Sequence, residues 1–202
     1  MALSRLRAFP LILGFLGGIA AATLPGFPSL AIPAAEASVS REIPLPFLAR
    51  KASRIVVGTA AESHSVWELD DGGARRIVTY HRVRVERQVS GASASEVWVR
   101  LLGGTVETIG QRVEGEASLR PGLQALLFLS ERRDGTFGVL GMAQGLYPMQ
   151  AGSDGVARLG RPRFMGILVR GQATQAAHAI LPGKAIDDAV RLIQEARQAD
   201  DR

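Results

Sequence analysis

The chain is 202 residues long, 47% apolar, 5% aromatic and 21% charged, with 23 Gly, 10 Pro and no Cys. That apolar share excludes a disordered chain, the length allows one domain plus appendages, and the missing cysteine excludes disulfide frameworks, thiolate metal sites and cysteine nucleophiles. The net charge of +5 comes from 22 Arg and 2 Lys against 19 acids, spread as +1 over residues 1–45, +2 over 46–150 and +2 over 151–202, which disfavours nucleic acid as a partner.

At the N-terminus Arg5 and Arg7 precede an uncharged apolar stretch from Phe9 to Ala22, the pattern of an export signal. Small residues suited to a cleavage site are offered by Ala20 and Ala22 and again by Ala35 and Ala37. Cleavage after Ala37 is favoured, making 1–37 a signal peptide and the mature protein periplasmic or extracellular. The alternative is an uncleaved inner-membrane anchor, because no charge interrupts Ala8 to Ala35. Pro25, Pro28 and Pro33 oppose it, since each removes a helix hydrogen bond. Membrane contact is expected only through that uncleaved segment.

Residues 38–46, with Pro44 and Pro46, read as a linker, and the folded domain is expected over 47–150. Its periodicity is two, the signature of strands with one buried face. Arg54 to Leu69 and Arg75 to Val89 form two long strands joined by Asp70-Asp71-Gly72-Gly73, a hairpin turn sequence. Along the second strand Ile77, Thr79, His81, Val83 and Val85 share one face while Tyr80, Arg82 and Arg84 share the other. Glu96 to Leu102 alternates in the same way. Thr105 to Ile109 reads as a further short strand and Gly110 to Ala117 as loop. After Arg120-Pro121-Gly122, the run Ala125 to Leu129 is continuously apolar and predicts a strand buried on both sides. Phe137 to Gly141 and Gly145 to Met149 complete the set.

Beyond Met149, residues 151–181 are rich in Gly, Arg and Ala and read as irregular, and 182–202 predicts a helix. Ile186, Ala189, Val190 and Ile193 recur on one helical face, with Asp187 and Asp188 near its N-terminal end. The expected fold is therefore mainly β: an OB-like antiparallel β-barrel with a C-terminal α-helix.

The order of five motifs supports this. Ile55-Val56-Val57-Gly58, Val83 to Gly91, Val99 to Gly104, Arg120-Pro121-Gly122 through Leu129, and Gly141 to Gly145 resemble a group of exported bacterial proteins of uncharacterised function. The resemblance spans about 50–150 and is similar in pattern to netrin-like and tissue-metalloproteinase-inhibitor-like domains, which implies a five-stranded OB-type barrel. Those inhibitors chelate zinc through an N-terminal cysteine, which this sequence lacks.

No pattern of side chains compels a chemistry. His64 with Glu62 or Glu68 could supply metal ligands, but a third ligand has no evident source, and His81 on the apolar face reads as an interior or rim histidine. Ser63, Ser65, Ser118 and Ser130 lack a nucleophile motif, Glu114 and Glu116 read as solvated loop acids, and the glycines of 138–145 lack the lysine of a phosphate loop. Arg158, Arg161, Arg163 and Arg170 form a diffuse basic tract. The best binding candidate is the outward face of the central strands, Tyr80, Arg82, Arg84, Trp98 and Arg100, where aromatics interleave with arginines. A solvated face is the simpler alternative, with Arg84 paired to Glu86 or Glu96 and Trp98 covered by a terminal segment. The sequence thus points to an exported, non-enzymatic binding module with no catalytic residues, metal or cofactor, and an envelope or secreted protein or a glycan as partner. The rival is a small envelope hydrolase or metal-dependent enzyme using His64 and nearby carboxylates.

Overall fold

The computed structural model describes residues 39–163, 167–169 and 175–199; the stretch 1–37 expected to be a signal peptide lies outside them. In chain order the elements are β1 (Val39–Arg41), α1 (Leu45–Lys51), β2 (Arg54–Leu69), β3 (Arg75–Ser90), β4 (Glu96–Leu102), β5 (Gly104–Val106), β6 (Ile109–Gln111), β7 (Gln124–Glu131), β8 (Phe137–Val139), β9 (Leu146–Ala151), β10 (Ala157–Leu159), β11 (Ile167–Val169), α2 (Ala177–Ile180) and α3 (Ile186–Gln198). A 3-10 turn, Met142–Gly145, joins β8 to β9. The chain is mainly β with a C-terminal helix, as its periodicity predicts.

The β2–β3 hairpin turns where expected. Asp70 Oδ1 accepts the backbone N–H groups of Gly72 (2.9 Å) and Ala74 (2.8 Å), so the aspartate side chain templates the turn. The two strands pair antiparallel from Ile55 opposite Ser90 to Leu69 opposite Arg75, with register shifts at Ile55/Val56, Val57/Gly58 and Ala60/Glu62. Such bulges bend a strand and increase its twist. At Gly58 the strands approach so closely that a Cβ would lie 2.5 Å from the Arg84 carbonyl oxygen, which only glycine permits.

That bending lets the sheet return on itself. β3 pairs antiparallel with β4, β4 pairs in parallel with β8 through Val99 opposite Phe137, β8 pairs antiparallel with β7, and β7 pairs antiparallel with β2. The five strands form a ring. β9 adds to β7 beside β8, and β10 adds to β9.

The apolar residues divide into two cores. One contains Val56, Val83, Val97, Val99, Leu101, Leu127, Leu129 and Phe137. The other lies across β2 and β7, where Ile55, Val57, Leu126, Phe128 and Tyr147 meet Leu45, Leu48 and Ala49 of α1 and Ala189 and Ile193 of α3. Phe128 and Tyr147 meet edge to face, 6.1 Å between centroids. Leu126 and Phe128 thus serve one core and Leu127 and Leu129 the other, which explains the unbroken apolar run of β7. Within α3, Asp187 and Asp188 occupy the first turn and Arg197 donates to the Ala49 carbonyl at 2.5 Å, tying the helix to α1.

Several segments differ from the sequence reading. Residues 38–46, read as linker, carry β1, which pairs with β11, and the start of α1; buried Gln144 also holds the segment, its Oε1 accepting Ile43 N–H (3.0 Å) and its Nε2 donating to the Arg41 carbonyl (2.9 Å). α1 then starts with Pro46 in its first turn, where a missing N–H costs no helix bond. The stretch 105–111 is a hairpin, β5 with β6, rather than one strand followed by loop, its reversal made by Glu107 at φ 54°. The nominally irregular 151–181 contains β10, β11 and α2, with β11 parallel to β1. Among the described residues, no helix is long and apolar enough to cross a membrane.

Candidate functional site

The β2–β3–β4 sheet carries different chemistry on its two faces, because neighbouring residues alternate between them. On the outward face, His64 of β2 lies opposite Tyr80 of β3, Tyr80 opposite Arg100 of β4, and Arg82 opposite Trp98. The His64 ring stacks on Tyr80 at 5.3 Å between centroids and 17° between planes, and meets Trp98 edge-on at 5.6 Å. Three rings from three adjacent strands therefore touch.

Below them Glu68 acts as an anchor. It accepts the Tyr80 hydroxyl at 2.5 Å and Arg100 Nε and a terminal guanidinium nitrogen at 3.1 and 2.5 Å. Burial pulls the Glu68 carboxyl upward, but hydrogen bonds from Arg100 and Tyr80 and the charge of Arg100 outweigh it, so the group ionises below its ordinary range. Tyr80 is raised, first by burial and then by its bond to Glu68. Arg82 pairs with Glu62 at 2.8 Å and Glu96 at 3.4 Å. Of the five residues singled out in the sequence, Tyr80, Arg82, Trp98 and Arg100 enter this network. Arg84 stands exposed without a side-chain partner among the described residues. α3 packs against α1 and β10. Glu62 and Glu96 pair with Arg82 and Glu68 with Arg100, so the three acids equal the three arginines in number while Arg84 itself is unpaired among the described residues, and the face is nearly neutral and studded with rings.

The opposite face opens on a cavity of about 580 Å³. Ser63 and Ser65 of β2, Thr79 and His81 of β3 and Leu101 of β4 line one side, and Gln111, Arg112, Glu116, Ser118 and Arg163 contribute from the connecting segments. Thr79 Oγ1 donates to the Gly103 carbonyl at 2.6 Å and lies 2.8 Å from Ser65 Oγ. A hydroxyl has one proton, so Ser65 is the donor in that second contact and keeps acceptor capacity for a ligand. Gly104, at φ 135°, closes over this pair: a Cβ there would overlap Thr79 Oγ1 and lie 2.6 Å from Ser65 Oγ. Glu116 is held by its backbone contacts, Oε2 accepting Leu102 N–H at 3.1 Å and Oε1 accepting Ala117 N–H at 2.9 Å.

His81 is 5% exposed, and its Nδ1 is buried without a hydrogen-bond partner. Burial, assisted by nearby His64, pushes its pKa down to about 4, so the imidazole is neutral at pH 7. The cavity thus assembles Ser63, Ser65, Ser118, His81 and Glu116, residues that look unrelated in the sequence. Period-two spacing signals Ser63, Ser65, Thr79 and His81, but nothing local shows that the segment around Glu116 folds across them. Ser130 lies instead on β7 opposite Gly138, Glu114 is exposed, and Arg158 pairs with Asp154 at 2.7 Å. Arg170 lies outside the described residues. Among the described residues, no group of three His, Cys, Asp or Glu side chains is placed to hold a metal.

No family model, no curated protein and no solved structure matches the chain.

Proposed function

We propose that the chain is an exported, non-enzymatic binding module of OB type that takes a glycan on the outward face formed by Tyr80, Arg82, Arg84, Trp98 and Arg100. The OB-type reading draws on the ring of five strands and the Greek-key connection implied by its one parallel pair, β4 with β8. The observation carrying the binding reading is the contact among His64, Tyr80 and Trp98 on adjacent strands. Rings fixed in this way present rigid apolar faces, and the Glu68 network holds Tyr80 and Arg100 before any ligand arrives, reducing the ordering cost of binding. A face whose formal charges balance suits a sugar ring better than a polyanion.

The test uses Trp67→Phe protein, so that Trp98 alone reports tryptophan emission. Neutral envelope-type oligosaccharides should change that emission saturably, and Trp98→Ala should lose capture with little change in melting temperature, a stacked aromatic contributing about 1–3 kcal/mol on such platforms. Unchanged glycan capture by Trp98→Ala would overturn the assignment. Export rests on Arg5, Arg7 and the apolar stretch to Ala22. Recovered outside the cytoplasm, the protein should begin at Ser38, whereas a membrane fraction beginning at Met1 would establish the anchor instead.

The hydrolase or metal-enzyme reading built on His64 has weaker support. His64 packs against Tyr80 and Trp98, and the Glu68 carboxylate is engaged by Arg100 and Tyr80.

A further inference from the structure

The cavity behind the sheet stands independently of the glycan reading, since it lies on the other face of the same strands. Its volume falls in the range of small-molecule sites, and it combines an apolar wall (Leu101, Val113, Leu119) with a few convergent polar groups. His81 lines the cavity as a neutral ring whose Nδ1 is shut off from solvent, so a ligand meets this residue at the part of the ring that faces the cavity. Ser63 is also without a side-chain partner among the described residues, and Ser65 retains acceptor capacity. These groups suit hydroxyls, which both donate and accept.

Charge narrows the class. Arg112 and Arg163 line the cavity, are exposed, and have no acidic partner among the described residues. Glu116 supplies one opposing charge, and its oxygens are already turned to the backbone. With His81 neutral the lining carries one net positive charge. This suits a monovalent anion such as a carboxylate better than a phosphate ester, which carries about −1.5 to −2 at neutral pH.

We propose that this cavity is a second binding site, which takes a hydroxylated monocarboxylate of sugar-acid size, its hydroxyls on His81, Ser63 and Ser65 and its carboxylate on Arg112 and Arg163.

The chain has only three histidines, so the imidazole resonances of His81 can be followed by NMR. Glucuronate, galacturonate and gluconate are titrated in turn, with glucose and glucose 6-phosphate as neutral and divalent controls. At least one sugar acid should move the His81 resonances saturably, with both controls about tenfold weaker or more. His81→Leu and Arg163→Gln should each weaken that binding about tenfold, the range expected for a lost bond to a charged or buried polar group. Arg163 is exposed, so its variant decides the matter even if His81→Leu fails to fold. No His81 response to any sugar acid would overturn the proposal. So would equal affinity for either control, or undiminished binding in Arg163→Gln.

Discussion

Tyr80 and His81 are chain neighbours that serve opposite faces of one sheet: the Tyr80 hydroxyl is bound to Glu68 at 2.5 Å outside, while the His81 imidazole is 5% exposed inside with Nδ1 unpartnered. One polar side chain is fully occupied and the next is not. This contrast sets where the molecule is stable and where it is receptive.

The unprotonated state of His81 makes stability pH-dependent. Its folded pKa of about 4 lies below the ordinary 6.5, so between those values the unfolded chain binds the extra proton and stability falls as pH falls. Full stability is present above pH 6.5. The loss on reaching pH 4 is on the order of 2–3 kcal/mol. Chemical denaturation at several pH values should show this slope, and His81→Leu should flatten it between pH 6.5 and 4.5, above the range where Glu68, Asp70 and Asp134 titrate in the folded state.

Glu68→Gln removes the charge that holds Arg100, whose side chain is only 11% exposed. A loss of about 1–3 kcal/mol is expected for a guanidinium left poorly paired in a partly dry setting. The Tyr80 phenol should also ionise at lower pH in this variant, because the Glu68 charge that helps to raise it is gone. Absorbance titration of tyrosinate reads this directly, because the only other tyrosine, Tyr147, is pushed further up by complete burial.

Phe128→Ala should cost about 3–5 kcal/mol, since the ring is fully buried between β7, α1 and Tyr147. Exposed Arg132→Ala should stay within about 0.5 kcal/mol. Urea midpoints compare them, and equal midpoints would contradict the placement of Phe128 in the core.

Tyr147→Phe is expected to be neutral or stabilising by up to about 1 kcal/mol. The Tyr147 hydroxyl is buried without a partner, so deleting it removes a desolvation penalty and leaves the edge-to-face contact with Phe128 intact. A lower melting temperature for this variant would mean that the hydroxyl does have a partner.

Strands whose chemistry is written at period two were legible. The Asp70 turn, the alternation of β3 and β4, the doubly buried β7 and the apolar stripe of α3 all follow from local spacing. The outward ring cluster was partly legible, because Tyr80 and Trp98 share a face by alternation, but the anchoring role of Glu68 depends on strand register. α1 was hidden by its prolines, one of which sits where a helix tolerates it. The cavity was hidden more deeply: Glu116 lines the same cavity as Ser65 and His81 only because the chain after β6 folds back to it, and no periodicity encodes that return.

The ring described above closes at a short parallel seam, Val99 beside Phe137, whereas β2 and β3 are joined by a tight turn and pair along nearly their whole length. Contacts near in sequence cost little loop entropy and form early, while the seam must wait until β7 has been delivered to β2. Kinetics should therefore separate the two. Substitutions in the Asp70 turn should slow folding, and truncation of Phe137 should chiefly accelerate unfolding. The lifetime of the closed protein is then governed from the seam and its rate of formation from the hairpin, so residence in the native state can be tuned without touching the outward ring cluster.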